Sequence, residues 1–220
     1  MKSDRFYLAC LRDTVGTNVS FHCKDGKGYS TDLRKAHVYT RDEAQKAWEN
    51  GREFDLPLCS YRVDQLAVPH VDCQYIPSGD VIEPGCTEYV AFQKARWNGN
   101  DVFWRCADGN PRTDFDMADR FSKPSNGEGW IWIPWETANS ARRPTFDIIH
   151  INRRTMIQAA GLVTPLHIQR QRRRSSSGKT RFNCPSCGRI HWQYNPYDFE
   201  GCENINCELW KSYLNIGGAA

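Results

Sequence analysis

Short apolar segments bounded by turn residues recur along the first 140 residues, and they predict a protein rich in β-structure. The segments Phe6–Leu11 and Val19–Cys23 are predicted strands, and Asp25-Gly26 after the second one is typical of a tight turn. A third short strand is predicted near His37–Tyr39. These elements predict a small sheet around one hairpin.

A helix is predicted after this hairpin. Thr40 and Glu43 have the spacing of a capping box ahead of apolar residues, so we expect a helix over residues 41–49 that ends near Gly51. A further strand is predicted at Val68–Ile76. The unit as a whole is therefore expected to be a small α+β module.

An internal repeat follows, at an offset of 82 or 83 residues along the chain. Blocks that stay in register at one offset indicate two related modules. The second module inserts Pro124–Gly129 at the position of the helix cap and continues into a predicted strand at Trp130–Ile133. The matching blocks are Tyr7–Ala9 with Tyr89–Ala91, Phe21–Gly26 with Trp104–Gly109, and Thr31–Leu33 with Thr113–Phe115.

Four aspartates recur in the two modules and are candidates for metal-dependent chemistry, with histidines as acid–base partners. The structural interpretation is preferred, because Asp before Gly suits a tight turn and Thr-Asp is a common cap. The histidines are also replaced in the second module. The residues concerned are Asp25, Asp32, Asp108, Asp114, His22 and His37.

The composition supports a folded protein with a substantial core. Of the 220 residues, 40% are hydrophobic and 12% are aromatic, which favours strand-rich packing in one large or two smaller domains. The sequence shows neither a signal peptide nor the run of about 20 apolar residues that a membrane helix needs. We therefore expect a soluble, cytoplasmic protein, outside the membrane, with mostly reduced cysteines.

Positive charge is concentrated between residues 141 and 181. This segment carries ten basic residues and one acid, Asp147, whereas the whole chain has a net charge of +3. Arginine pairs with two phosphate oxygens at once, so nucleic acid, either DNA or RNA, is the expected partner. A solvated helix, or a helix docked on the acidic first half of the chain, is the alternative.

The basic segment also has the outline of a helix, a tight turn and a second helix. A short helix is predicted over residues 155–160 and closed by Gly161, and Thr164 followed by Pro165 predicts the start of another. DNA-binding helix-turn-helix proteins share this outline, but here the first helix is very short and the turn is one residue too long. Ser175–Gly178 is a predicted flexible linker.

Four cysteines near the C-terminus form two close pairs. Two such knuckles bring four thiolates to one tetrahedral zinc ion, and four protein ligands leave no position for water, so we expect one structural Zn2+. A second site at Cys59, His70, Cys73 and Cys86 is disfavoured, because no second knuckle accompanies it. The predicted zinc ligands are Cys184, Cys187, Cys202 and Cys207.

The segment between the knuckles has its own pattern. Ile190, Trp192 and Tyr194 alternate with polar residues and predict a strand of a ribbon. Aromatic side chains there are candidates for stacking on the bases of a single strand, at about 1–3 kcal/mol for each base. His191 is an alternative metal ligand, although four cysteines already complete the tetrahedron.

The predicted fold class is therefore α+β. We expect two tandem related modules, each a β-hairpin plus helix, at residues 1–84 and 85–150, a basic helical bridge and linker at 151–181, and a four-cysteine zinc ribbon at 182–220. No catalytic residue is predicted, so the protein is expected not to be an enzyme. The predicted nucleic-acid contacts are Arg142, Arg143, Arg153, Arg154, Arg170, Arg172, Arg173, Arg174, Lys179, Arg181, Trp192 and Tyr194.

Four segments carry a resemblance to known proteins: Tyr7–Gly16, Gly28–Leu33, Val71–Pro77 and Cys184–Trp192. They resemble uncharacterised accessory proteins from tailed phages and prophages. The resemblance implies a role in regulation, or in the inhibition of host systems such as nucleic-acid-targeting defences, within the host cytoplasm. It implies no catalytic residue.

Three functions stay open at this point. The first is a non-enzymatic nucleic-acid-binding protein of phage origin. The second is a protein–protein inhibitor whose acidic, aromatic-rich body occupies the nucleic-acid groove of a host enzyme, with a host protein or ribonucleoprotein as partner. The third is a metal-dependent nuclease that uses the repeated aspartates.

Overall fold

The computed structural model describes residues 4–125, 127–169, 178–194, 197 and 199–210. Residues Met1–Pro165 form one compact unit and residues Leu166–Ala220 form a second. We call the first unit the body and the second unit the tail. Antiparallel sheets and few helices make up the described part of the chain, which agrees with the predicted mixture of α and β structure.

The first half of the body is built around a long antiparallel hairpin. Its strands and helices in chain order are β1 (Phe6–Val15), β2 (Asn18–His22), β3 (Tyr29–Ser30), α1 (Arg41–Asn50), β4 (Asp55–Cys59), α2 (Ser60–Gln65) and β5 (Val68–Val71). One sheet has the strand order β3-β2-β1-β4. The predicted capping box is confirmed at α1, where the Glu43 N–H donates to the Thr40 hydroxyl and the Thr40 N–H donates to the Glu43 carboxylate at 2.8 Å.

The second half of the body has a similar order of elements, but its described residues include no counterpart of β3 or of α1. It contains β6 (Tyr89–Asn98), β7 (Asp101–Trp104), β8 (Trp130–Pro134), α3 (Trp135–Ala141) and β9 (Arg142–Thr145), with the sheet order β7-β6-β8. In each half an aspartate caps a short 3-10 helix, since Asp32 accepts the Arg34 N–H and Asp114 accepts the Asp116 N–H. The preferred structural interpretation of these two aspartates is confirmed.

The two halves exchange strands, so they do not form separate cores. β5 of the first half pairs with β9 of the second. Val71 and Ile76 pack into the apolar cluster of the second half, with Trp104 and Phe115. In return, the Phe146 ring packs against a ring of the first half, 6.2 Å from the Phe21 centroid. The predicted boundary at residue 84 therefore does not separate two independent cores.

The turns of the two long hairpins contact each other. Gly16 and Gly99 lie in these turns with φ of +61° and +64°. A Cβ on Gly16 would lie 2.6 Å from the Gly99 nitrogen, and a Cβ on Gly99 would lie 2.5 Å from the Gly16 nitrogen. Both positions therefore need glycine, for the left-handed backbone and for the close approach.

Equivalent hydrogen bonds flank this contact. The Cys73 N–H donates to the Asn100 carbonyl at 2.8 Å, and the Ile148 N–H donates to the Thr17 carbonyl at 2.9 Å.

The strand registers align Phe6 of the first half with Tyr89 of the second. Phe6 pairs with Cys59, the residue before α2, and Tyr89 pairs with Pro134, the residue before α3. The predicted match of Tyr7 with Tyr89 is thus wrong by one residue, a slip that exchanges the two faces of a strand.

Two predicted strands differ from the structure for local reasons. The segment Val68–Ile76 is a strand only to Val71, because Asp72 then caps a 3-10 helix by accepting the Gln74 N–H at 2.9 Å. Residues 37–39 form only an isolated bridge, between Tyr39 and Phe6, while Tyr29–Ser30 forms the third strand. The turn signal at Asp25-Gly26 is confirmed as a tight 3-10 turn.

Residues 151–165 belong to the body, although they were predicted to be part of a bridge. The predicted first helix is a π-helix, Arg154–Gln158, whose Met156 and Ile157 are buried. The Gln45 side chain holds the following segment through both the N–H and the carbonyl of Val163, at 2.9 Å each. Residues 166–169 are helical, whereas the predicted continuation of this helix through residues 170–174 and the predicted linker residues 175–177 lie outside the described residues.

The tail contains one antiparallel ribbon, formed by β10 (Thr180–Asn183) and β11 (Ile190–Gln193). Its buried hydrophobic cluster among the described residues consists of three cysteines, Cys184, Cys202 and Cys207, with Phe199 packed against them. Among those residues, no helix of the chain combines the length and the apolarity needed to cross a bilayer.

Candidate metal centre and ribbon face

Four cysteine sulfurs of the tail converge on one point. Cys184 follows β10, Cys187 lies three residues later, and Cys202 and Cys207 come from the second knuckle. The Sγ–Sγ distances are 3.6 Å for Cys184–Cys207 and 3.6 Å for Cys187–Cys202, and all four sulfurs lie within 4.8 Å of one another. Zn–S bonds of about 2.3 Å in a tetrahedron require sulfurs about 3.8 Å apart. The four thiols are positioned to hold a metal ion.

Each knuckle is shaped by its own backbone hydrogen bonds. In the first, the Cys184 N–H donates to the Arg189 carbonyl at 2.8 Å, and Gly188 takes φ of +71° in the turn. In the second, the Cys202 N–H donates to the Leu209 carbonyl at 2.7 Å, and the Cys207 N–H donates back to Asn204 at 2.9 Å. These turns direct both sulfurs of a pair to the same side.

The environment of the sulfurs differs from one to the next. A backbone hydrogen bond from Arg189 lowers the pKa of Cys187 to about 6, whereas burial raises the pKa of Cys202 to about 12. Cys187 is exposed and the other three are buried. A divalent cation would supply the charge needed to ionise the buried thiols together.

His191 lies directly beside the sulfur cluster. Its Nε2 is 3.2 Å from the Cys202 Sγ, and its ring packs edge-on against Phe199 at a centroid distance of 5.8 Å. Its buried Nδ1 has no hydrogen-bond partner among the described residues. Because four sulfurs already surround the site, His191 is placed as a hydrogen-bond partner of Cys202 and not as a fifth ligand.

No other group of cysteine, histidine and carboxylate side chains converges in this way among the residues that the structure describes. The disfavoured second zinc site is not assembled, because His70 instead contacts the Asp101 carboxylate at 2.7 Å. Asp25 and Asp108 lie in exposed turns, where Asp108 accepts the Asn110 N–H at 3.0 Å. The repeated aspartates thus form no metal cluster within that part of the chain.

One face of the ribbon combines aromatic and basic side chains. Arg181 pairs directly with Trp192 across the two strands, and Asn183 pairs with Ile190. In the same register Lys179 stands opposite Tyr194, with its Nζ 5.2 Å from the ring centroid. Directly opposite residues share a face of a ribbon. The six side chains of this face, which we call the ribbon face, are all exposed: Lys179, Arg181, Asn183, Ile190, Trp192 and Tyr194.

The intervening residues of β11 point the other way. His191 and Gln193 are buried, at 6% and 7% exposure, whereas Trp192 is 56% exposed and Tyr194 is 68% exposed. The Gln193 side chain accepts the Glu200 N–H at 2.9 Å. The period of two along the strand therefore separates the groups that support the metal centre from the groups available for contact.

The other predicted contacts lie in different environments. Arg142, Arg153 and Arg154 are exposed, and Arg142 lies 3.8 Å from the Asp116 carboxylate. Arg143 is 6% exposed and binds Asp101 at 2.7 Å, so its guanidinium is already engaged by a carboxylate of the body. The remaining four predicted arginines, Arg170, Arg172, Arg173 and Arg174, lie outside the described residues.

A buried polar network surrounds Arg143 at the centre of the body. Arg143 also reaches Asp72 at 3.4 Å, and His70 bridges Asp101 and the Thr113 hydroxyl, at 2.7 Å and 3.2 Å. Burial opposes ionisation of Asp101, but His70 and Arg143 outweigh it, so the pKa of Asp101 is lowered. The amino-acid pattern holds no usable signal for this network, because β9 reads Arg-Arg-Pro-Thr and only the folded strand shows that Arg143 and Thr145 are buried.

No protein-family model, no curated protein sequence and no solved structure matches the chain.

Proposed function

We propose that this protein is a non-enzymatic, zinc-stabilised nucleic-acid-binding protein and that the ribbon face is its contact surface. The observation that carries the proposal is the register of the ribbon, in which Lys179 and Arg181 stand opposite Tyr194 and Trp192. Exposed rings stack on unpaired bases, and adjacent cations neutralise the phosphates of the same strand. Single-stranded DNA or RNA is the ligand class that fits this face best.

The metal is proposed to be one Zn2+ with a structural role. Thiolate ligands select soft or borderline cations, and a site of four cysteines is a common zinc site. The buried cluster of the tail consists mainly of the ligands themselves, so the metal would replace an apolar core. Cys184, Cys187, Cys202 and Cys207 would hold it and so fix the ribbon face.

The two halves of the body are proposed to be tandem copies of one module. Their shared order of strands, the two aspartate-capped 3-10 helices and the reciprocal bonds of Cys73 and Ile148 support this. The resemblance to phage accessory proteins supports a role in regulation or in the inhibition of a host nucleic-acid-targeting system. In that role the body would contact the host protein while the tail holds the nucleic acid.

Fluorescence polarisation with labelled 20-mer single-stranded DNA, single-stranded RNA and duplex DNA tests the ribbon face. Each base stack contributes about 1–3 kcal/mol, so Trp192→Ala and Tyr194→Ala should each weaken single-strand binding about 5- to 150-fold. Tyr61→Ala is the matched control, because Tyr61 is 63% exposed on α2 of the body.

The salt dependence provides a second readout. Each phosphate contact adds about 0.7 to the slope of log K against log salt concentration for a single strand. Lys179→Ala with Arg181→Ala should therefore reduce that slope by about 1.4. Unchanged affinity in the two aromatic variants, with an unchanged salt slope in the double variant, would refute the proposal and favour the protein–protein inhibitor.

A further inference from the structure

A cavity of about 540 Å3 opens on the first half of the body, at the end of β2. Four aromatic rings take part in its lining, those of His22, Tyr29, His37 and Tyr39. His22 pairs directly with Tyr29 on one side, and on the other side the His37 N–H donates to the His22 carbonyl at 2.8 Å. Side chains opposite one another on antiparallel strands share a face, so three of the rings form a row.

The rings are held against one another in pairs. His22 packs edge to face on Tyr29 at a centroid distance of 4.8 Å, and His37 packs in the same way on Tyr39 at 4.4 Å. The cavity is thus lined by two T-shaped aromatic pairs, an arrangement that is favourable by itself. Each pair presents both a ring face and a ring edge.

A buried carboxylate fixes two of these rings. Asp55 is 3% exposed, and its Oδ1 lies 3.1 Å from His22 Nε2. Its Oδ2 accepts the Arg52 Nε–H at 2.8 Å, and Arg52 in turn donates to the Tyr29 hydroxyl. Burial opposes ionisation of Asp55, but the hydrogen bonds of Arg52 and His22 outweigh it and lower its pKa. A charged group inside a sheet is therefore used to position His22 and Tyr29.

The second half of the body has the same backbone arrangement without this cavity chemistry. The Asp119 N–H donates to the Arg105 carbonyl at 2.9 Å, as His37 does to His22, so Arg105 and Asp119 replace the two histidines. In the first half Asp55 pairs with Cys10, and at the corresponding place in the second half Trp130 pairs with Gln93. Trp130 therefore replaces the buried carboxylate. The second half therefore forms the same backbone contacts without histidines or a buried carboxylate, which points to a separate use for these groups in the first half.

The charges beside the cavity indicate the class of ligand. Lys24 and Lys27 are exposed and lie in the same turn as three lining residues of the cavity, Asp25, Gly26 and Gly28. The Asp25 carboxylate lies 3.9 Å from Lys27 Nζ and so offsets part of this charge. Aromatic faces bind planar rings, and lysines bind phosphate as point charges.

We propose that this cavity binds a nucleotide, with the base against the tyrosine and histidine rings and the phosphate near Lys24 and Lys27. The nucleotide is either a free mononucleotide or one nucleotide of a strand, which share this chemistry. The site lies in the body, and its existence does not depend on the ribbon face of the tail.

Titration calorimetry on the full chain tests the site, with AMP, GMP, CMP and UMP as probes and ribose 5-phosphate as the probe without a base. At least one mononucleotide should bind, and ribose 5-phosphate should bind more weakly. Tyr29→Ala should weaken nucleotide binding about tenfold, Tyr29→Phe should retain most of it, and Lys24→Ala with Lys27→Ala should also weaken it. Tyr61→Ala should have no effect.

A second arm distinguishes the two sources of the nucleotide. In the Trp192→Ala background, where the ribbon face is impaired, residual binding of a labelled single strand that is lost on Tyr29→Ala identifies a nucleotide within a strand. Mononucleotide binding that persists in Trp192→Ala shows that the cavity and the ribbon face act independently. The proposal is wrong if neither probe responds to Tyr29→Ala, or if ribose 5-phosphate binds as tightly as the mononucleotides.

Discussion

Replacement of Arg143 provides the sharpest test of the central network. Arg143 donates to Asp101 at 2.7 Å and lies 3.4 Å from Asp72, and all three side chains are at least nine-tenths buried. Removal of one partner of a buried ion pair leaves the opposite charge uncompensated and costs about 3–5 kcal/mol. His70 still contacts Asp101 in Arg143→Ala, so we expect a loss near the lower end, about 3 kcal/mol.

Urea unfolding followed by tryptophan fluorescence measures this loss. With a slope of about 2–3 kcal/mol/M, which is usual for proteins of this size, the midpoint should fall by about 1 M or more. Arg142→Ala is the matched control, because the Arg142 side chain is half exposed and lies 3.8 Å from the Asp116 carboxylate. An exposed pair of this kind contributes at most about 1 kcal/mol.

The same two variants separate a structural role from nucleic-acid contact. Because Arg143 is buried, Arg143→Ala should leave the affinity for a single strand unchanged under conditions in which both proteins are folded. The reasoning would be refuted if Arg143→Ala and Arg142→Ala were equally stable and only Arg143→Ala bound nucleic acid more weakly. That result would mean that Arg143 is accessible in solution.

The remaining predictions concern the metal, the contacting turns and the pH dependence. The purified protein should contain about one zinc per chain by atomic emission, and Cys184→Ser should lose it, whereas Cys73→Ser should not. Gly99→Ala should lower the stability of the body in urea unfolding by clearly more than Gly109→Ala. Both glycines have a positive φ, but only at Gly99 would a Cβ lie against the opposite turn. Equal losses of stability would contradict the close contact. The pKa of Asp101 is lowered on folding, so stability present above about pH 4 should be lost as pH falls through the folded value. Burial and Asp64 raise the pKa of Tyr7 to about 12, so stability present below about pH 10 should be lost as pH rises toward 12; a Tyr7→Phe variant with an unchanged alkaline limb in urea unfolding would contradict this.

Features set by neighbours along the chain were predictable. The capping box of Thr40 and Glu43 is encoded within four residues, and α1 begins where that pattern places it. The two cysteine knuckles are equally local, since each needs only a tight turn to bring two sulfurs together. The alternation around Trp192 predicted the strand, although it did not show which cations would stand opposite the aromatic rings.

Features set by distant pairing were not predictable. The pairing of β5 with β9 joins residues that are about 75 positions apart in sequence, and no local pattern encodes it. This exchange is what places Val71 in the core of the other half, and it places Arg143 against Asp101. Charge composition therefore placed Arg143 among the predicted nucleic-acid contacts, whereas tertiary pairing makes it part of the core.

The central network also shows why the two halves are not interchangeable. Asn18 and Asp101 occupy equivalent positions after the turns of the two long hairpins, and both are fully buried. The Asn18 Nδ2 donates to Asp101, which also accepts from Arg143 and His70. Two aspartates at these positions would place like charges together inside the body, and two asparagines would leave Arg143 with only Asp72 as a charged partner. The close contact of the turns is therefore compatible with one carboxylate and one amide. A single chain with two different halves provides this pairing. A symmetric pair of identical modules cannot provide it.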